Sequence, residues 1–400
     1  MQKRRKIVVA SQHYPPDHST TAAIMSAIAN HLATEAPVLV LSGIAGSATH
    51  KPGEPGQLEV VEIRNWLPGK AALIRRAAAE LLFAARMFFA LVRRLRRGDV
   101  VLTVTAPFLL PHAVVAAAKF KRARSVLIMH DLFPDVLVMA GLLRPASVAT
   151  SAIRAINAPM FRWLDAIITI GRDSGRLLLR YREVRPDKIC FIPNWATLAP
   201  GVRPIPRDNP YRRPHAARFL VGLSGNLGFT HDPVIVFEAA RLLRDDPDIH
   251  FLLSGWGIGF ERLKAMQEET GLANVSLIDR VPEEDLEALL SAADVWIIPY
   301  RKNVAGVSVP SRFYNLLAVG RPVLIVSEPD AEAAMTVAEH GVGWVVRPGE
   351  AGELAAAIRL AASSDNRERA ERACAVARRF DFSSAMAAYS ELARRLLRED

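Results

Sequence analysis

Four hundred residues, half of them hydrophobic, are too many for one core and too apolar for a disordered chain, so a packed protein of two domains is expected. Cys190 and Cys374 lie far apart without metal-ligand spacing, which argues against a disulfide scaffold and makes a reducing cytosol the default. The net charge of +10 leaves anionic substrates, anionic lipid and nucleic acid open, but no zinc-finger spacing, RNA-binding aromatic pattern or helix-turn-helix signal stands out, so no nucleic acid partner is expected.

The chain opens on Met1-Gln2-Lys3-Arg4-Arg5-Lys6 and runs straight into Ile7–Ala10. That apolar run is too short for a signal-peptide core and reads as a buried strand. No uncharged stretch is long enough to cross a bilayer. Further strands are predicted at Val38–Leu41, Leu58–Ile63, Val100–Thr105, Ser125–Met129, Ala166–Ile170 and Ile189–Pro193. A second series follows at Phe219–Ser224, Ile249–Ser254, Val275–Ile278, Val295–Pro299, Val323–Val326 and Gly343–Val346. Longer helical segments separate these strands, the order of a parallel α/β sheet. Prolines at 200, 204, 206, 210 and 214 exclude a helix or central strand there. Residues 200–214 are therefore read as a linker between doubly wound domains over 1–199 and 215–380, with a last helix within 381–400.

Chemistry concentrates where predicted strands end. After the first strand, Tyr14-Pro15-Pro16-Asp17-His18-Ser19-Thr20-Thr21 leads into a helix capped by a hydroxyl, an arrangement that binds anions or is simply an ordinary strand-to-helix loop. After Ser125–Met129 come His130 and Asp131, then Leu132-Phe133-Pro134-Asp135; a His beside two carboxylates serves proton or charge chemistry, or structural capping. Gly225 and Gly228, flanking Asn226 and Leu227, let backbone amides approach a diphosphate. Gly255-Trp256-Gly257 is a weak dinucleotide-like signal, or a tight turn. Past Ser308, Pro310 and Ser311 open a helix whose free N–H groups attract anions, and Arg312 follows them.

In this order and spacing the segments resemble the family-four, retaining GT-B glycosyltransferases, over nearly the whole chain. The likeness is to the branch of colanic-acid and L-fucosamine-transferase-like enzymes of bacterial surface polysaccharides. Tyr14 to Asp17 resembles a Tyr-Pro-Pro-Glu-Gly-Gly loop facing donor phosphate and acceptor, with His18-Ser19-Thr20 where Gly-Gly is usual. Asp131 to Asp135 resembles an Asp-Leu-Trp-Pro-Asp run, and His130 matches a histidine beside the donor sugar. Asn226 and His231 stand where many relatives carry a diphosphate-binding Arg and Lys, and Val307 and Asn315 stand where many carry two glutamates.

The resemblance implies an α/β GT-B fold, two Rossmann-like domains facing a central cleft, with the last helix folded back on the first domain. It implies a glycosyltransferase without cofactor or metal, moving a sugar from a nucleotide-diphosphate sugar to a lipid-linked or growing surface saccharide, a polyprenyl-diphosphate-linked acceptor being expected. Donor contacts are expected from Gly225, Asn226, Gly228, His231, Gly255, Gly257, Ser308, Pro310, Ser311, Arg312 and Asn315. Asp17, His18, Thr20 and Thr21 are expected near acceptor and phosphate, and His130 and Asp131 at the reacting centre. Two alternatives stay open: a non-catalytic donor-binding or scaffold subunit, and a nucleotide-sugar 2-epimerase of the same fold.

Lys70 to Arg97 reads as a helix with Arg75, Arg86, Arg93 and Arg97 in one sector. Leu73, Ile74, Leu81, Phe88, Leu91, Val92 and Leu95 fall opposite, on the expected core face. Phe83 and Met87 fall among the arginines, as on an interfacial helix against anionic head groups, although a solvated basic face gives the same pattern. The protein is accordingly expected in the cytoplasm, peripheral on the inner face of the cytoplasmic membrane.

Overall fold

A computed structural model of the chain describes residues 5–17, 19–43, 58–66, 73–205, 208–215 and 218–398. His18, one of the expected loop residues, lies outside them. The chain forms two compact units, one of Met1–Pro134, Pro145–Ile192 and Ala385–Asp400, the other of Asp135–Arg144 and Pro193–Ser384.

The strands of the first unit are β1 (Ile7–Ser11), β2 (Val38–Ser42), β3 (Leu58–Glu62), β4 (Val100–Val104), β5 (Arg124–Met129), β6 (Ala166–Thr169) and β7 (Ile189–Phe191). They pair in parallel in the order β3-β2-β1-β4-β5-β6-β7. Those of the second are β8 (Phe219–Asn226), β9 (Ile249–Trp256), β10 (Val275–Asp279), β11 (Val295–Pro299), β12 (Val323–Val326) and β13 (Gly343–Val346), parallel in the order β10-β9-β8-β11-β12-β13. In chain order the helices are α1 (Thr20–Ala33), α2 (Leu73–Arg94), α3 (Leu110–Lys121), α4 (Asp135–Met139), α5 (Val148–Trp163), α6 (Ser174–Leu178), α7 (Pro233–Leu242), α8 (Ile258–Thr270), α9 (Leu286–Ala292), α10 (Ser311–Ala318), α11 (Glu332–His340), α12 (Ala351–Ser363), α13 (Arg367–Ala377) and α14 (Phe382–Arg398).

Every predicted strand is present. β1, β2, β4, β6, β11 and β12 are buried along their whole length, which is why they read as unbroken apolar runs. β3 and β7, with exposed and half-exposed residues, are the edges of the first sheet. Each order reverses once, between β1 and β4 and between β8 and β11. At such a reversal the loops leaving two neighbouring strands part, and ligands bind at the carboxyl ends beside it.

Two expectations need correction. The proline-rich segment 200–214 is no free linker. The chain passes from one unit to the other at Ile192 and Pro193, and the described part of that segment is laid along the second unit. Gly201 N–H donates to the Ala318 carbonyl at 2.9 Å, Asn209 Nδ2 to the Ala288 carbonyl at 2.7 Å, and Arg321 Nη1 to the Arg203 carbonyl at 2.9 Å.

The second correction concerns α2. Phe83 and Met87, expected to face a membrane, are buried to 1% and 0% exposure in the core of the first unit with Leu91 and Leu95. The small side chains of Ala79 and Ala90 let this stripe lie close to that core, which includes Val114, Ala117 and Ala118 of α3. Leu91 and Leu95 are buried as expected, with Phe88 and Val92 packed against the same core, so the inward face is rotated from the expected one and not opposite to it. Leu81, expected inside, is 63% exposed, and Leu82 and Phe89 are exposed with it. Arg75, Arg76 and Arg93 are exposed too, and Arg86 donates to the Arg64 carbonyl at 2.9 Å.

α14 belongs to the first unit from Ala385 onward. His31 Nε2 and Ser390 Oγ lie 3.0 Å apart, and Arg394 clamps the Glu35 carboxylate at 2.9 and 3.0 Å.

Candidate functional site

In the second unit β8 and β9 run two residues further than their apolar runs suggest. Gly225 pairs with Gly255 and Asn226 with Trp256, so these glycines end strands and do not form a free loop. A side chain on Gly255 would stand 2.5 Å from the Gly225 carbonyl oxygen, so only glycine fits there. Gly257 has φ +93°, and a Cβ there would meet Asn226 Oδ1 at 2.6 Å. It opens α8 without a capping side chain. Gly228 and Gly225 face open space. The turn is latched by Leu227 N–H to the Trp256 carbonyl and Gly259 N–H to the Leu227 carbonyl, both 2.9 Å.

Beyond it, Asp232 N–H donates to the Pro299 carbonyl at 2.8 Å, and Arg301 N–H to the Thr230 carbonyl at 3.0 Å. These bonds stitch the loop after β8 to the end of β11, at the reversal of strand order. His231 lies there, tilted against Tyr300 with ring centroids 5.2 Å apart and Nδ1 3.0 Å from Thr230 Oγ1. Burial lowers its pKa to about 4. Near neutral pH it is uncharged and does not replace a phosphate-binding lysine.

α10 starts at Ser311 behind Pro310, again with no capping side chain. Ser311 is exposed; Ser308 and Arg312 are half-buried. Arg312 makes no ion pair among the described residues. Burial draws its pKa below the ordinary arginine value, with Glu283 opposing and Arg280 adding to that effect. Arg280 stacks over Trp256 at 4.7 Å. Asn315, expected among the donor contacts, is directed elsewhere. Its Oδ1 accepts from Thr197 N–H (2.7 Å), Thr197 Oγ1 (3.2 Å) and Leu198 N–H (3.2 Å). Its Nδ2 donates to Thr197 Oγ1 at 2.9 Å. At 7% exposure this amide is spent on holding 197–198.

In the first unit Asp17 accepts from Ser19 N–H at 2.9 Å and sits 2.5 Å from His13 Nδ1. Burial pushes its pKa up, but these bonds outweigh that and hold the carboxyl below its usual value. Ser19 caps α1 by accepting from Ala22 N–H, leaving Thr20 exposed and Thr21 half-buried. Across the reversal, Thr105 Oγ1 accepts from Asp131 N–H at 3.1 Å. Asp131 is raised by burial, and burial lowers His130 to about 4. The His130 Nε2 is shut from solvent with no hydrogen-bond partner among the described residues. Asn157 steadies the following loop by donating to the Phe133 carbonyl at 2.7 Å.

Two family descriptions match. Residues 19–195 match "Glycosyl transferase 4-like domain" and 212–379 match "Glycosyl transferases group 1". WbjE of Pseudomonas aeruginosa, a glycosyltransferase by name, is 30% identical over 292 residues, 72% of each chain. The chain belongs to the bacterial GT-B glycosyltransferases. WcaI of Escherichia coli (strain K12), a colanic acid biosynthesis glycosyl transferase by name, is 28% identical over 79% of each chain. The Anabaena HepE structure in complex with UDP-glucose matches at TM-score 0.69 and 17% identity, covering 97% of this chain and 99% of that one, which shows the fold. The glycosyltransferase moves a sugar from a nucleotide-diphosphate donor to an acceptor.

Within the second unit, the glycosyltransferase brings Gly225, Asn226, Gly228, His231, Gly255 and Gly257 to the carboxyl ends of β8 and β9. The opening of α10 adds Ser308, Pro310, Ser311 and Arg312. The first unit gathers Asp17, Thr20, Thr21, His130 and Asp131 at the carboxyl ends of β1 and β5. Thr105, Asn157 and Arg280, which stacks on Trp256 of the glycine turn, come from remote segments and carry no motif that would single them out in the sequence. Among the described residues no group of three His, Cys, Asp or Glu could hold a metal ion.

The two buried histidines give a pH prediction. Between about pH 6.5 and 4 the unfolded chain protonates His130 and His231 while the folded enzyme keeps them neutral. Stability is therefore full near neutrality and falls as pH drops through that window, by roughly 3 kcal/mol for each ring. Urea midpoints at pH 7, 5.5 and 4.5 check this. The double variant His130→Gln/His231→Gln should show a shallower slope, with the remainder from groups such as His250, which burial also holds at about 4. An unchanged slope contradicts the assignment.

Proposed function

We propose that the enzyme is a retaining, metal-independent glycosyltransferase that extends a lipid-linked or growing bacterial surface saccharide. The observation that carries this is Arg312, a half-buried guanidinium without a carboxylate partner among the described residues, at the uncapped start of α10 beside the reversal of strand order. Its planar fork binds a diphosphate bidentately, and the Ser311 and Arg312 amides add donors. The Gly225–Gly257 turn gives the diphosphate room to approach backbone. Asn226 and Ser308 border the same end.

His130, neutral, offers a hydrogen bond to a sugar hydroxyl and takes no part as a cation. Asp131 stands with His130 at the reacting centre, and Asp17, His18, Thr20 and Thr21 serve the acceptor and phosphate side. Charge developing on the departing diphosphate is met by Arg312 and helix amides, as front-face retaining transfer requires. The UDP-glucose complex of HepE and the colanic-acid name of WcaI support donor and acceptor class respectively.

Thermal melts with UDP, GDP and TDP in EDTA test the donor site. One diphosphate should raise the melting temperature, by the equivalent of about 2.7 kcal/mol at one hundred times its Kd. A flat panel on folded protein favours a non-catalytic subunit, and a shift that needs Mg²⁺ contradicts metal independence.

The exposed Leu81, Leu82 and Phe89 of α2, with Arg75 and Arg93 at its ends, form the face proposed to rest on anionic lipid at the inner leaflet. No helix among the described residues is long and apolar enough to cross a membrane. Flotation with phosphatidylglycerol vesicles should carry the wild-type enzyme and lose at least tenfold of Leu82→Ser/Phe89→Ser/Arg75→Glu/Arg93→Glu. Equal flotation sinks the membrane face.

A further inference from the structure

The first unit has a second concentration of charge, at the opposite end of its sheet from His130. A cavity of about 690 Å³ opens at the amino ends of β5, β6 and β7, where the ends of α3 and α5 meet α14. The intervening strands of four to six residues put it roughly 15–20 Å from the carboxyl ends.

Six cations and two carboxylates line it. Asp165 is taken by Arg124 at 2.9 Å and by Ser125 N–H at 2.8 Å, and Asp187 by Arg185 at 2.5 Å. Lys188 caps α5 by donating to the Arg162 and Leu164 carbonyls at 2.9 and 2.6 Å. That leaves Lys119, Arg162 and Arg395 facing the cavity with no ion pair among the described residues. Helix dipoles favour Lys119 and Arg162 at the ends of α3 and α5. Arg395 likewise stands in the last turn of α14, but no single dipole accounts for three helix ends placing their cations on one cavity, the third from more than two hundred residues later in the chain. Trp163, 45% exposed, stands in the wall. A second cavity of about 390 Å³ shares Lys119, Arg124, Trp163 and Asp165 and adds Arg5, Arg97 and Arg122. The two make one basic trough around an aromatic ring.

We propose that this trough is a second, non-catalytic binding site for a phosphate-class polyanion carrying two or more adjacent phosphates. Lys119, Arg162 and Arg395 would take the phosphates, and Trp163 would pack against the group that bears them. Such chemistry is offered by a soluble nucleotide or by an anionic lipid head group. Occupancy would tie α14 to the amino ends of β5–β7 and so firm up the first unit.

Trp163 supplies a local reporter. Tryptophan fluorescence of the full-length enzyme would be titrated with inorganic pyrophosphate, with ADP, and with cardiolipin vesicles, whose head group carries two phosphates. Wild-type and Trp163→Phe are compared, so that signals from the donor site cancel. A saturable change that needs Trp163 and weakens at least tenfold in Lys119→Glu/Arg162→Glu supports the site. Response to ADP and pyrophosphate assigns a soluble ligand, and response to vesicles alone assigns a head group. Both substituted side chains are exposed, and an unchanged thermal melt verifies folding. Absence of any Trp163-dependent change, or titration of the double variant as wild type, overturns the proposal.

Discussion

Arg312→Ala should leave a folded enzyme whose transfer rate falls roughly 100- to 1000-fold, the cost of removing a donor aimed at developing charge in a dry site. Three features make the effect large. The guanidinium is half-buried and has no carboxylate partner among the described residues, so its charge is free to meet a phosphate. His231, which stands at the position of a lysine in many relatives, is neutral near pH 7 because burial holds it at about 4. Asn226 carries no charge either. Arg312→Lys should recover part of the activity, since it restores the charge without the bidentate fork. Kinetics at saturating donor, with calorimetry of the diphosphate product, separate lost binding from lost chemistry. Wild-type diphosphate affinity in Arg312→Ala would remove Arg312 from the donor site.

Asp294→Ala should destabilise the second unit by about 3–5 kcal/mol, the usual cost of leaving one partner of a buried ion pair alone. Asp294 Oδ2 accepts from Arg212 Nη1 and from Leu220 N–H, both at 2.7 Å. Arg212 in turn donates to the Ala292 and Arg218 carbonyls at 3.0 Å each. With only 11% and 17% of the two side chains exposed, water cannot replace the lost bond. The pair fixes the end of the proline-rich segment against the start of β8 and β11. The transition of this unit should drop by roughly 10 °C. Arg212→Met/Asp294→Leu should recover most of the loss, because no uncompensated charge is left. A loss below 1 kcal/mol in the single variant would mean that the pair is not the anchor.

Why some features were legible in the chain and others not follows from packing. Strands buried on both faces are written as unbroken apolar runs, so β1, β4, β11 and β12 could be read directly. Strand-end glycines were legible as a group, though not their state: Gly225 and Gly255 are paired strand residues. Arg321 of the Gly-Arg-Pro turn has a structural task, donating to the Arg203 and Ser291 carbonyls. Asn315 fits a family position yet bonds to Thr197, a partner 118 residues away that no local pattern reveals. α2 was legible only in part, for a related reason. Its inward face is decided by what Ala79 and Ala90 allow to pack, while its bulkier Leu81, Leu82 and Phe89 stay outside.

The central claim is transfer from a nucleotide-diphosphate sugar to a lipid-borne acceptor, with the donor held at Arg312. The direct measurement incubates purified enzyme and bacterial membranes, in EDTA, with a panel of radiolabelled UDP-, GDP- and TDP-sugars, and counts label in the organic-extractable fraction. Incorporation from one donor by the wild-type enzyme, lost in Arg312→Ala, is the predicted result. No incorporation from any donor by folded enzyme, or equal incorporation by Arg312→Ala, would contradict it.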